Sequence, residues 1–179
     1  MAKVNNELVF RLIKRGEPSL EEVIALAKQN SVTLGFMPKD AFVAHADKGM
    51  LLGVLDGTSL IGYCLFRIAN SKQRISIAHL CIAKSARRKG IGKKVINWLH
   101  EQYGKLYRGI SLSCREDFES AVKFYQDCNF QFRDRTLSRS KQEKYLIKFW
   151  YDFNKPDLFT KESSGRIEAV IDLNIIIKL

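Results

Sequence analysis

Residues 75–93, ISIAHLCIAKSARRKGIGK, place a strand, a cationic turn and a helix start in immediate succession, and this junction limits what the rest of the chain can be. Ile75–Ile82 alternates apolar or β-branched residues with small ones, the pattern of a strand covered over most of its surface. A helix opens at Ile91. Between them Arg87-Arg88-Lys89-Gly90-Ile91-Gly92 sets three cations and two glycines at the helix N-terminus. First-turn N–H groups have no carbonyl four residues back, the helix dipole is positive at that end, and glycine admits the φ/ψ values a tight loop needs. The segment therefore reads as an anion site suited to phosphate or pyrophosphate.

Spacing excludes two phosphate loops. A Walker loop requires Gly-x-x-x-x-Gly-Lys-Ser/Thr, whereas Lys93 stands at the wrong spacing and is followed by Lys94. A dinucleotide fingerprint requires a third glycine three residues beyond Gly92, where the chain has Val95. Arg-x-x-Gly-x-Gly directly after a strand instead resembles the acyl-CoA pyrophosphate motif, Arg/Gln-x-x-Gly-x-Gly/Ala, of the GNAT superfamily of N-acetyltransferases. Arg87, Gly90 and Gly92 fall on it in register.

The remaining pattern fits one domain. A chain of 179 residues can bury one full core but not two, and 46% hydrophobic with 27% charged residues are globular values. Leu8–Ile13 reads as a strand ended by Gly16-Glu17-Pro18. A helix follows, with Ser19 and Glu22 spaced as a capping box and Leu20, Val23, Ile24 and Ala27 on its apolar face. Pro38 as an early helical residue, with Ala41, Phe42 and Ala46, predicts a short second helix ending at Gly49. Leu51–Leu55 and Leu60–Ile68 flank Asp56-Gly57-Thr58-Ser59 as a hairpin, and Ile75–Ile82 adds a third antiparallel strand. Ile91–Lys105 carries Val95, Ile96, Leu99 and Tyr103 on one helical stripe. Ile110–Cys114 is a strand, residues 118–128 return to helical spacing, and Phe130–Arg133 and Tyr145–Phe153 are the last strands of a domain spanning 1–153. Residues 154–165 read as a linker. The apolar run 166–179, carrying Asp172 and Asn174, reads as an extra strand or an interface with another copy in a homodimer, and weakly resembles the first strand of a PIN-type nuclease domain.

Composition narrows the setting. Cys64, Cys81, Cys114 and Cys128 show neither C-x-x-C pairing nor metal-ligand spacing and read as reduced core residues, so no metal is expected. No apolar run reaches the ~20 residues that span a bilayer, and the start MAKVNNELVF lacks signal-peptide organisation. A cytoplasmic protein without a membrane partner is the expectation. The formal net charge of +11 admits polyanions, nucleic acid included, beside the phosphates of CoA.

The resemblance implies an α/β (α+β) fold: a mixed, mostly antiparallel sheet of six or seven strands, split into a V between Ile75–Ile82 and Ile110–Cys114. It implies transfer of an acetyl group from acetyl-CoA to a primary amine in a ternary complex. By it, Leu80, Cys81 and Ile82 pair with pantetheine, the N–H groups of Arg88, Lys89, Gly90, Ile91, Gly92 and Lys93 hold the pyrophosphate, and Arg87, Arg88 and Lys89 add charge-assisted contacts. The family's second motif, Asn-x-x-Ala-x-x-x-Tyr-x-x-x-Gly-Phe, is matched by Ala121, Tyr125 and Phe130. Phe118 replaces its asparagine and Asn129 its glycine, a mild change because Asn tolerates the left-handed conformation.

Tyr125 is by this resemblance the general acid that protonates the departing thiolate. Ser76 and Ser113 occupy positions where other members carry a glutamate base. That leaves His79, or Glu116 within Cys114-Arg115-Glu116-Asp117, a cluster that can alternatively bind a cationic or polar acceptor. Phe36, Met37 and Phe42 either line the acceptor pocket or pack under the sheet. The acceptor amine can belong to a small molecule, a protein or an aminoacyl-tRNA. In the last case the basic connection Arg133–Lys144, with Arg133, Arg135, Arg139, Lys141 and Lys144, would hold RNA phosphates, and otherwise those cations are solvated. A nucleic-acid-binding module with a vestigial CoA site is the rival reading.

Overall fold

Alternation along the central hairpin decides the architecture. In this computed structural model, which describes residues 8–69, 73–138 and 144–153, β2 (Leu51–Asp56) and β3 (Ser59–Ala69) pair antiparallel and send successive residues to opposite faces. Leu51, Tyr63 and Leu65 join a core with Ile13, Val23 and Phe42, while Leu52, Val54, Cys64 and Phe66 join another with Ile75, Val95 and Leu99. A sheet apolar on both faces must be covered on both. Helices α1 (Pro18–Gln29) and α3 (Lys39–Asp47) supply one cover, and α4 (Ile91–Tyr103) and α5 (Glu119–Asp127) the other. A single turn, α2 (Ser31–Leu34), joins α1 to α3.

The remaining strands are β1 (Leu8–Leu12), β4 (Arg74–Ile82), β5 (Gly109–Arg115), β6 (Gln131–Leu137) and β7 (Tyr145–Asp152), in the spatial order β1-β2-β3-β4-β5-β7-β6. All neighbours are antiparallel except β4 and β5. These two run parallel and pair only between Arg74–Ile77 and Gly109–Leu112, beyond which they diverge. The expected V is therefore present.

Its closed end is pinned by a buried cation. Arg74, 1% exposed, forms an ion pair with Asp152, lies 4.3 Å over the Trp150 ring and donates from Nη1 to the Tyr151 carbonyl at 3.3 Å. Gly109 opposite must lack a side chain, since a Cβ there would sit 2.0 Å from the Tyr151 carbonyl oxygen.

Several local expectations are corrected. The Ser19–Glu22 capping box does not form, because Pro18 takes the first helical position behind Glu17, and Ser19 is buried with its Oγ accepting from Arg11 at 3.1 Å. Pro38 caps α3 rather than lying within it, α4 stops at Tyr103, and β6 runs on to Leu137 because Asp134–Leu137 find partners on β7. Residues 154–179, with the expected linker, C-terminal strand and PIN-like resemblance, lie outside the described residues, as do Arg139 and Lys141. No described helix is long and apolar enough to cross a membrane.

Candidate active site

The cationic turn folds as an open anion cradle. After β4 a 3-10 turn, Lys84–Ala86, leads to Arg88 with φ 63° and then to Gly90 with φ 74°, the N-cap of α4. The first capped bond is Lys94 N–H to the Gly90 carbonyl at 3.1 Å, and among the described residues the N–H groups of Arg88 through Lys93 donate to no carbonyl. Two left-handed residues, a helix N-terminus and the exposed Arg88, Lys89, Lys93 and Lys94 make a site whose donors and charge suit a pyrophosphate. The two glycines serve different ends. Gly90 has open space around it and is required by its φ, whereas a Cβ on Gly92 would lie 2.8 Å from Cζ of Phe124.

Arg87 does something other than expected. Its Nε donates to the Ile82 carbonyl at 2.9 Å and its Nη2 to Asn30 Oδ1 at 2.8 Å. Its guanidinium thus ties the cradle to the end of β4 and to the C-terminus of α1.

The open end of the V begins at a bulge. Phe66 faces Ile77 but Leu65 faces His79, so Ala78 is an extra residue in β4 and is exposed. One inserted residue reverses the alternation: Ile77 points to the α4/α5 core and His79 to the α1/α3 core. Leu80, Cys81 and Ile82 pair with Cys64, Tyr63 and Gly62 on one side, which leaves their β5-facing edge without a strand.

His79 is 5% exposed, edge-on to Phe42, with Nδ1 3.2 Å from the Tyr63 hydroxyl. Burial lowers its pKa; the Leu34 carbonyl partly opposes this and His45 adds to it. The imidazole is therefore neutral at pH 7. Between pH 6.5, its ordinary value, and its lower folded pKa, the unfolded chain binds the extra proton, so wild type loses stability as pH falls through that window. Denaturation from pH 7.5 to 5 should show a shallower loss for His79→Gln, and parallel curves would mean that His79 titrates freely.

Tyr125 is held by the end of α5. Phe130 N–H returns to the Tyr125 carbonyl at 3.0 Å and Asn129 N–H to Gln126 at 2.9 Å, a Schellman closure in which Asn129 adopts φ 63°. The substitution of Asn for Gly therefore leaves the cap intact. The ring packs on Phe124, Phe130 and Phe149, with centroids 5.1, 5.4 and 6.1 Å away, and burial pushes the phenol pKa up. Among the described residues the hydroxyl has no hydrogen-bond partner, and since no fully enclosed side-chain oxygen or nitrogen among them lacks one, the Tyr125 oxygen keeps some contact with solvent although the residue is 8% exposed.

The end of β5 is occupied by its own ion pairs. Both Glu116 oxygens accept from Arg135, the closest contact being 2.7 Å, and Arg135 stacks on Tyr145 at 3.5 Å. Arg115 pairs with Asp117, covers the Phe118 ring at 4.1 Å and reaches the Val32 carbonyl at 3.4 Å. Phe118 thus packs under a cation where the motif has asparagine. Of the basic connection, Arg133 pairs with Asp152 at 3.7 Å and Lys144 with Asp117 at 3.6 Å, carboxylates they share with Arg74 and Arg115, and Arg135 pairs with Glu116. Of the three expected acceptor-lining residues, Phe42 is core at 1% exposure, Met37 packs against that core and Phe36 is 88% exposed.

Tyr125 and His79 thus belong to the cores on opposite faces of the sheet, the cradle follows the open end of β4, and Glu116 stands in its ion pair beyond β5. Sequence reasoning missed Tyr63, Asn30 and Phe124. Each lies in an ordinary apolar or polar pattern and acquires meaning only through a distant partner. The cysteines are all free, and burial pushes the Cys81 and Cys114 thiols up to about 11, as expected of reduced residues.

Known proteins share this construction. The model of the acetyltransferase (GNAT) family matches residues 18–130, from the first residue of α1 through the Schellman closure. Arabidopsis thaliana NAA60 in complex with acetyl-CoA superposes with TM-score 0.69 at 18% identity over 82% of this chain and 99% of that one. An N-acetyltransferase from Staphylococcus aureus gives TM-score 0.69 at 13% identity over 83% and 99%, and the ribosomal-protein-S18-alanine N-acetyltransferase from Escherichia coli gives 0.70 at 9% over 86% and 100%. At these identities the superpositions establish the fold. No curated protein sequence matches the chain. The family match takes in both the cradle and the tyrosine helix and spans well over half the residues, so the chain belongs to the GNAT family of acetyl-CoA-dependent N-acetyltransferases.

Proposed function

We propose that the protein transfers an acetyl group from acetyl-CoA to a primary amine by direct attack within a ternary complex. The observation that carries this reading is the combination of three features: a cradle of undonated N–H groups, an unpaired β4 edge leading to it, and a largely buried tyrosine whose hydroxyl has no partner among the described residues. Acetyl-CoA supplies the activated acyl group. The Arg88–Lys93 N–H groups and the side chains of Arg88, Lys89 and Lys93 bind its pyrophosphate, and the Leu80–Ile82 edge pairs with the pantetheine amides. The bulge at Ala78 frees backbone from the ladder where the reacting carbonyl would lie. As the amine nitrogen bonds to the acetyl carbon and the carbon–sulfur bond breaks, Tyr125 Oη gives its proton to the sulfur. His79, kept neutral by burial, takes the proton released from nitrogen, directly or through water.

Glu116, Asp117 and Asp152 beside Arg135, Lys144 and Arg133 lower the positive charge around the β6–β7 connection and support an acceptor without phosphates, a peptide or small amine, over an RNA-linked one. One of the relatives points the same way: the E. coli enzyme acts on an alanine of a ribosomal protein. The test is a melting scan with acetyl-CoA followed by CoA release against a panel of free-amine peptides, polyamines and charged tRNA. At a hundredfold excess over Kd the ligand stabilises by about 2.7 kcal/mol, a rise of roughly 5–10 °C for a domain of this size. Gly90→Val, which puts a β-branched residue at φ 74°, should remove the rise. No rise at saturating acetyl-CoA would overturn the proposal, and turnover with charged tRNA alone, lost steeply with salt, would replace the acceptor class.

A further inference from the structure

The cradle and the proton donor sit on different helices, and they meet at one point. Gly92, in the first turn of α4, faces the ring of Phe124 on α5 so closely that a Cβ would stand 2.8 Å from Cζ and 3.0 Å from Cε2. Phe124 is the residue before Tyr125, and the two rings pack edge to face at 5.1 Å with an interplanar angle of 62°. Tyr125 also packs on Phe130 and Phe149, so Phe124 is the contact that links it to the first turn of α4. Gly92 does not have a positive φ, unlike Gly90, so backbone conformation does not explain its lack of a side chain. Its N–H donor would survive in alanine. What alanine removes is the seat for Phe124.

We propose that Gly92 is a positioning residue for the proton donor: its missing side chain lets Phe124 dock, and Phe124 sets Tyr125 against the split in fixed relation to the cradle. This rests on the reading of Tyr125 as the donor. A methyl group at Gly92 would stand 2.8 and 3.0 Å from two atoms of the half-buried Phe124 ring, closer than a Cβ tolerates, so the ring has to move. The displacement passes to the adjacent tyrosine, while the cradle's donors stay in place.

The experiment is a pair of mutant cycles read by acetyl-CoA melting shift and by CoA release with a free-amine peptide as acceptor. Gly92→Ala should keep the melting shift and the KM for acetyl-CoA while kcat falls tenfold or more. Gly92→Ala/Phe124→Leu should recover most of that loss, because the smaller side chain accepts the methyl group. Phe124→Leu alone, which opens a gap instead of a clash, should also lower kcat, so the double variant should exceed either single one. In the Tyr125→Phe background Gly92→Ala should cost less than twofold. An equal loss in both backgrounds would overturn the proposal and leave Tyr125 as donor, as would a Gly92→Ala enzyme with unchanged kcat or a lost melting shift. Full turnover by Tyr125→Phe itself would remove the donor and this inference together. Should Gly92→Ala fail to fold, Phe124→Leu and its double variant still decide, since a double variant no better than Phe124→Leu denies the coupling.

Discussion

Tyr125→Phe is expected to lose about a hundredfold or more in acetyl transfer while its melting-temperature rise with acetyl-CoA stays that of wild type. The substitution removes one oxygen and nothing that packs, since the contacts to Phe124, Phe130 and Phe149 are made by the ring. Burial pushes the phenol pKa up, so the hydroxyl stays protonated at neutral and mildly alkaline pH. Any fall of rate at alkaline pH must therefore come from another group. A Tyr125→Phe rate within about threefold of wild type would show that water or another group protonates the sulfur.

Arg74→Met should be the most destabilising exchange at the closed end of the split. Truncating one partner of a buried ion pair typically costs about 3–5 kcal/mol. Here Asp152 is 37% exposed and retains Arg133 at 3.7 Å, so a loss of roughly 2–3 kcal/mol is expected. The Tyr151 carbonyl loses its donor and Trp150 one of the two guanidinium groups that cover it. Urea denaturation measures the loss, and a change below about 0.5 kcal/mol would mean that Arg74 merely fills space.

Features encoded locally were legible in the chain. The left-handed Gly90, the amphipathic α4, the Asp-Gly hairpin and the tolerance of Asn129 at a helix end follow from residues within a few positions of one another. What the chain did not disclose depends on partners far away. Arg87 also binds Asn30, fifty-seven positions earlier. Three of the five cations of the β6–β7 connection lie beside Glu116, Asp117 and Asp152, all outside that segment. The bulge is hidden for another reason. Ile77-Ala78-His79 alternates acceptably in either register, so nothing local reveals that His79 has changed faces.

The asymmetric pairing of β5 has a consequence for how a ligand can enter. Along Gly109–Arg115 its outer edge is fully paired with β7, just as β4 is paired with β3 up to Ile82. Each lip of the slot is therefore anchored on its far side by a ladder, interrupted on β4 at Ala78, and neither can swing over to seal the gap without breaking one. An extended chain, spaced about 4.8 Å from a neighbouring strand, needs no strand displaced to find its place. The slot is preformed: backbone order that a flexible cleft would have to acquire on association is here acquired during folding. Free and ligand-bound forms should then superpose closely along both lips, and selectivity among acyl donors should arise from the width of the gap rather than from a closing motion.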